Sequence, residues 1–256
     1  MSGDNGQRKI ALVTGANKGI GRAAAAQLAA LGMTVLLGAR NPALGEAAAA
    51  ELRQADGADV HALTIDVTDH GTIEAAARWI EERYGRLDSL VNNAGITGSG
   101  QIAPQDAVDQ LPSSVDIDMV RDVFETNVFG VIAVTNAMLP LLRRSSAPRI
   151  VNVSSGTASL GFAAMPGGPL SALPASAAYG PSKNALNGLT VQYANELRKE
   201  GILVNAVAPG YVDTDINDHQ GFLTPAQGAE ILVRMATLEG DWPTAGFFDA
   251  SGALPW

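Results

Sequence analysis

The chain contains no cysteine, which excludes a disulfide framework, a thiolate nucleophile and any cysteine-ligated metal. Histidine is almost as scarce. His61, His70 and His219 are scattered without metal-ligand spacing, so no metal is expected. Basic side chains are outnumbered, 17 Lys and Arg against 26 Asp and Glu, and a net charge of −9 argues against a nucleic-acid or anionic-membrane surface. Aromatics are only 5% of residues, and the abundant Ala and Gly suit close helix-on-sheet packing. No apolar run reads as long enough to span a bilayer. The polar stretch 1–7 lacks the basic-then-apolar plan of a signal peptide, and is read as a flexible N-terminus of a cytoplasmic protein.

What is present is enough apolar sequence, 46% of 256 residues, to bury one large core. The short continuous apolar run at 10–13 reads as a strand covered on both faces, and 33–37, 60–65, 87–91, 149–153, 203–207 and 246–248 read as further strands. Between them lie helical stretches at 21–30, 42–54, 72–84, 115–142 and 179–200, and a last helix from Thr224-Pro225. Strict alternation of this kind gives an α/β fold, a Rossmann-type doubly wound parallel sheet, and the whole of 1–256 reads as a single domain. Residues 96–112 look like a polar surface excursion. The segment 156–178, carrying Pro166-Gly167-Gly168-Pro169, is too long and too punctuated for an idle connection.

Tyr179 and Lys183 lie four apart at the start of a helix and so share one face. An ammonium beside a phenol favours the phenolate, which lowers the tyrosine pKa from about 10 and makes it an acid/base near neutral pH. The turn Thr14-Gly15-Ala16-Asn17-Lys18-Gly19-Ile20-Gly21 joins the first strand to the first helix. Its glycines let the backbone approach a pyrophosphate, and the helix N-terminus offers free N–H groups and a positive dipole end. At the end of the second strand, where an acid would hold the ribose hydroxyls of NAD, the chain has Ala39-Arg40-Asn41. The missing acid, with Arg40 and Lys18 as cations for a 2′-phosphate, favours NADP(H). Asp66-Val67, after the third strand, is placed either to meet the adenine or to cap the next helix.

Together, Thr14 to Gly21, Asn92 to Gly95, Asn127, Ser155, Tyr179 to Lys183, and Pro209-Gly210 with Thr214 resemble the short-chain dehydrogenase/reductase family along nearly the whole chain. The wording of the Gly-rich turn, Arg40, the long segment before Tyr179 and the ending from Gly246-Phe247-Phe248 to Pro255-Trp256 look most like its carbonyl reductase branch. The resemblance implies NADPH-dependent, reversible reduction of ketones or aldehydes to alcohols. By it, Tyr179 gives a proton to the substrate carbonyl, Lys183 holds the nicotinamide ribose and tunes Tyr179, and Ser155 bonds the carbonyl oxygen. Ser154 is the rival to Ser155. Asn127 holds a relay water. Asn93, Ala94 and Gly95 line the cofactor, and Val212 and Thr214 meet the carboxamide.

The insertion 156–178 implies a monomer or dimer rather than a tetramer. Its Leu160, Phe162, Met165, Leu170 and Leu173 either wall the cleft, giving a fairly apolar small-molecule substrate, or simply pack onto the body. Two other activities stay open, a sugar or steroid alcohol dehydrogenase working with NAD(P) and a non-catalytic NADP(H) sensor.

Overall fold

Along β1 (Ile10–Val13) the side chains divide, Ala11 and Val13 entering one apolar layer and Ile10 and Leu12 the other. A strand buried on both faces requires this, because successive side chains point to opposite sides of the sheet. In the computed structural model, which describes residues 8–98, 110–240 and 243–256, eight strands form one sheet in the order β3-β2-β1-β4-β5-β6-β7-β8. The others are β2 (Thr34–Ala39), β3 (Val60–Thr64), β4 (Ser89–Asn92), β5 (Arg149–Val153), β6 (Leu203–Val207), β7 (Phe247–Asp249) and β8 (Gly252–Ala253). All neighbours are parallel except β7 and β8.

Three helices cover each face. On one side α1 (Gly19–Ala30), α2 (Pro42–Asp56) and α6 (Pro225–Thr237) contribute Ala24, Ala25, Leu28, Ala49, Leu52 and Leu232 to the core. On the other, α3 (His70–Tyr84), α4 (Ile117–Leu142) and α5 (Tyr179–Leu197) contribute Ile73, Ile80, Val134, Met138, Leu142 and Leu197. Helix starts follow the local chemistry. Asn41 caps α2 through Leu44 N–H, Asp69 caps α3, and Thr224 with Gln227 forms a capping box on α6. The helices that start at the site, α1 and α5, have no side-chain hydrogen bond from their N-cap residues.

Several expectations are corrected. β2 runs on to Ala39, and the antiparallel β8 was not foreseen, because two residues carry no periodicity to read. The long fourth helix is interrupted by a π turn at Glu125–Phe129, and Pro140 falls in its last stretch. This helix is also apolar and long enough, 26 residues, to cross a bilayer, contrary to expectation; 56% of its apolar window is buried, packed against the sheet and its neighbours. The expected N-terminal segment 1–7 and most of the excursion 96–112 lie outside the described residues.

Candidate active site

In a doubly wound sheet a crevice opens where strand order reverses, here between the carboxyl ends of β1 and β4. The residues just beyond those ends are tied together. Thr14 Oγ1 accepts the N–H groups of Asn93 and Ala94, both at 3.0 Å. Asn93 Nδ2 donates to the carbonyls of Thr14 and Gly15, at 2.9 and 3.1 Å. Asn93 therefore serves the turn with its side chain. Gly15 is left-handed at φ 62°, and a Cβ there would lie 2.9 Å from Ala94 Cα. Gly21 is still tighter, with Asn93 Nδ2 at 2.4 Å from its would-be Cβ. Ala16 is buried, Asn17 and Ile20 are half-buried, and a Cβ on Gly19, at φ 58°, would lie 3.4 Å from Thr214 Cγ2.

The other predicted contacts gather around this turn with altered detail. Arg40, beyond β2, is exposed and makes no hydrogen bond or ion pair among the described residues. Lys18, expected to share a phosphate with it, is instead ion-paired with Asp215. Asp66 accepts Thr68 N–H and O–H at 3.0 and 2.8 Å, closing the turn before α3, while the helix cap itself is Asp69. Val67 packs against Gly130 of α4. After β6, Pro209 leads to Gly210 at φ 86°, where a Cβ would strike Leu223 Cδ1 at 2.7 Å. Val212 buries its side chain against Gly228, and its carbonyl already accepts Asn217 Nδ2 at 2.9 Å. Asp215 and Asp213 both hold His219, at 3.0 and 2.6 Å, and raise its pKa, the Asp213 hydrogen bond most. The sequence alone gave no sign of this arrangement.

Asn127, Ser155, Tyr179 and Lys183 come from three chain segments, the last two from α5, and meet over β4 and β5. The π turn carries Asn127, fully buried, with its amide spent locally. Oδ1 accepts Ile96 N–H at 2.9 Å, and Nδ2 donates to Ile96 O at 2.8 Å and Ser182 Oγ at 3.0 Å. Ser182 in turn donates to the Tyr179 carbonyl at 2.7 Å, so it locks the catalytic helix to α4, a role the sequence did not disclose. Lys183 Nζ donates to Val153 O at 2.8 Å and lies 5.8 Å from the Tyr179 ring centre. A Cβ on Gly95 would lie 3.1 Å from Asn127 Oδ1 and 3.3 Å from Lys183 Nζ, which explains glycine there.

The electrostatics differ from the expectation drawn from the Tyr-Lys spacing. Burial pulls Lys183 down to about 8, because a desolvated ammonium loses hydration. Burial likewise pushes Tyr179 up, and a side-chain hydrogen bond with Ser155 opposes it. Desolvation therefore outweighs the Ser155 hydrogen bond, and the neutral phenol is the stable form near neutral pH.

Ser155 and its rival separate clearly. Ser155 reaches Tyr179, whereas Ser154 is buried with no partner for its hydroxyl among the described residues. Below them runs a buried polar ladder. Asn92 Nδ2 donates to Thr135 Oγ1 at 3.1 Å and Asn152 Oδ1 at 2.9 Å, and Asn152 Nδ2 donates to Thr190 Oγ1 at 2.9 Å. It ties β4 and β5, in register at Asn92 and Asn152, to α4 and α5.

The geometry suits a dinucleotide: a close-approach glycine turn at an uncapped helix start, an arginine at the end of β2 with no partner among the described residues, and a lysine and an asparagine converging over Gly95. A phenol and a serine hydroxyl beside it can stabilise and protonate a developing alkoxide.

The comparisons with known proteins agree. The family model described as short chain dehydrogenase matches residues 9–221. The short-chain dehydrogenase anuI of Penicillium roqueforti (strain FM164) is 40% identical over 237 residues, covering 90% of this chain and 89% of that one. Salutaridine reductase of Papaver somniferum is 32% identical over 96% of this chain and 95% of its own. Its solved structure superposes with a TM-score of 0.79 at 30% identity, over 94% of this chain and 99% of that chain. A short chain dehydrogenase from Shigella flexneri 2A str. 301, complexed with NADP, gives 0.80 at 28% identity, over 95% and 97%. The chain belongs to the short-chain dehydrogenase/reductase family of oxidoreductases, whose members use nicotinamide cofactors.

Proposed function

We propose that this chain is a single-domain, NADPH-dependent carbonyl reductase that converts ketones or aldehydes to alcohols, reversibly. The observation that carries the reading is the convergence of Ser155, Tyr179, Lys183 and Asn127 at the carboxyl ends of β4 and β5, beside the tied Gly-rich turn. The nicotinamide supplies the hydride. Tyr179, held neutral by burial, delivers the proton to the carbonyl oxygen. Ser155 donates a hydrogen bond to that oxygen as negative charge develops, so its contribution is greater in the transition state than in the ground state. Lys183 sits within reach of both the phenol and Gly95, holding the ribose hydroxyls and favouring the phenolate left after transfer. Asn127, tied to Ile96 and Ser182, holds the chain at Gly95 and Ile96 beside Lys183.

Arg40, which makes no hydrogen bond or ion pair among the described residues and follows Ala39 where an acid would hold the NAD ribose, supports NADPH over NADH. The NADP-bound neighbour and the relative named as a reductase point the same way. Leu160, Met165, Leu173 and Phe222 are exposed, Phe222 at 80%, rather than buried in the body. Apolar side chains left exposed on these two segments are available to a fairly apolar substrate, and the insertion before Tyr179 is the ground for a monomer or dimer rather than a tetramer.

The test is NADPH oxidation over a panel of ketones and aldehydes, repeated with NADH and with Tyr179→Phe. Turnover favouring NADPH, and lost in Tyr179→Phe while NADPH still binds, is the expected result. Tight NADPH binding with no turnover of any carbonyl would overturn the reductase in favour of a sensor.

A further inference from the structure

Ser155 ends β5 in an extended conformation, at φ −152° and ψ 150°, and starts the 3-10 turn Gly156–Ala158. Two donors from one residue fall on its hydroxyl oxygen. Thr157 N–H lies 3.3 Å from Ser155 Oγ, and Thr157 Oγ1 lies 2.9 Å from it. Thr157 Oγ1 makes no other hydrogen bond among the described residues. A serine hydroxyl has two acceptor lone pairs and one proton. With both lone pairs facing Thr157, the remaining valence of Ser155 is its proton, directed at the Tyr179 oxygen or at a substrate oxygen in the same place.

We propose that Thr157 is a positioning residue that fixes Ser155 as a hydrogen-bond donor toward the reacting oxygen. The inference rests on reading this site as a carbonyl reductase and deepens it. Without Thr157 the Ser155 hydroxyl can rotate and accept from the Tyr179 phenol, which favours the neutral tyrosine and withholds a donor from the alkoxide. With Thr157 donating to it, Ser155 keeps its proton for the facing oxygen, the orientation that supports negative charge there. Donation into Ser155 also polarises its O–H, since hydrogen bonds in a chain strengthen one another. The direction agrees with the bond from Ser155 opposing the upward push of burial on Tyr179.

The test reads Tyr179 directly. Tyrosinate absorbance is titrated in the full-length protein without cofactor, and the Tyr179→Phe titration is subtracted. Thr157→Val is expected to lower the Tyr179 ionisation constant by about three- to tenfold, the scale of one hydrogen bond. Thr157→Ser, which keeps the hydroxyl, is expected to stay within about twofold of the parent by the same scale. In a Ser155→Ala background, Thr157→Val is expected to change nothing further, because Thr157 acts through Ser155. In turnover, Thr157→Val should lower kcat by a similar factor with KM for NADPH unmoved. If valine distorts the turn, seen as a changed circular dichroism spectrum, Thr157→Ala replaces it in each measurement.

An unmoved titration in the hydroxyl-free variant, an equal loss in Thr157→Ser, or a full further effect without Ser155 would each overturn the proposal. A parent protein that turns over no carbonyl would defeat the reductase reading instead, and the titration would still decide the role of Thr157.

Discussion

Asn152→Ala removes the middle of the buried ladder beneath the site. Asn152 is 1% exposed, Asn92 3%, and Thr190 fully buried, so water cannot replace what is lost. The substitution deletes the 2.9 Å bond from Asn92 Nδ2 and the 2.9 Å bond to Thr190 Oγ1. Thr135 still takes one proton of Asn92 Nδ2, but the other is left buried and unpaired. Each lost bond is worth about 1 kcal/mol net, and an orphaned buried donor costs about 1–3 kcal/mol. Allowing for overlap between these effects, the expected destabilisation is about 2–4 kcal/mol, a large share of the stability of an ordinary domain. Urea unfolding is the assay, with a lower midpoint and an unchanged m-value. Asn92→Ala combined with Asn152→Ala should cost less than the sum of the two, by about 1 kcal/mol or more, since the second change removes the orphan made by the first. A single-variant loss below about 1 kcal/mol, or strict additivity, would refute the view that this ladder holds the two strands to α4 and α5.

Other expectations follow from the charges. Arg40→Asp should shift the ratio of kcat/KM for NADPH over NADH by roughly ten- to a hundredfold toward NADH, the range for a hydrogen bond to a charged group; an unchanged ratio would remove Arg40 from cofactor choice. Lys183 titrates at about 8 in the folded chain, below its ordinary 10.5. Between those values the unfolded chain binds the extra proton, so this group makes stability rise with pH by up to about 1.4 kcal/mol per pH unit. Lys183→Met should flatten that part of the stability–pH curve, and an identical slope in the variant would count against a buried, depressed lysine. The His219 pKa is raised by Asp213 and Asp215, so its ties are complete below about 6.5 and are lost as pH climbs through the raised value. Hydrogen exchange in 211–223, corrected for intrinsic base catalysis, should therefore speed up across that range. The acceleration should vanish in His219→Gln.

Much was legible from order along the chain. Short apolar-rich stretches between helices gave the parallel sheet, clearest at β1, where a strand covered on both faces has no polar side to display. The glycines of the first turn could be read as close-approach positions, and Gly15 and Gly21 do have no room for a Cβ. The Tyr179–Lys183 spacing placed both side chains toward the site, since a helix returns to the same face after four residues.

Tertiary structure alone decided how those groups behave. Lys183 and Tyr179 are adjacent as expected, yet burial, a property of everything packed around them, sets the sign of both shifts and keeps the phenol protonated. Lys18 looked free in the sequence because Asp215, which neutralises it, lies 197 residues away. Ser182, Asn152 and Thr190 are ordinary polar residues in the sequence, and only their mutual distances make them the frame of the site. The sequence determines which chemical groups each element carries, through local periodicity and backbone sterics. Which protons those groups hold, and which partners they meet, depends on contacts between distant segments and on the water that folding excludes.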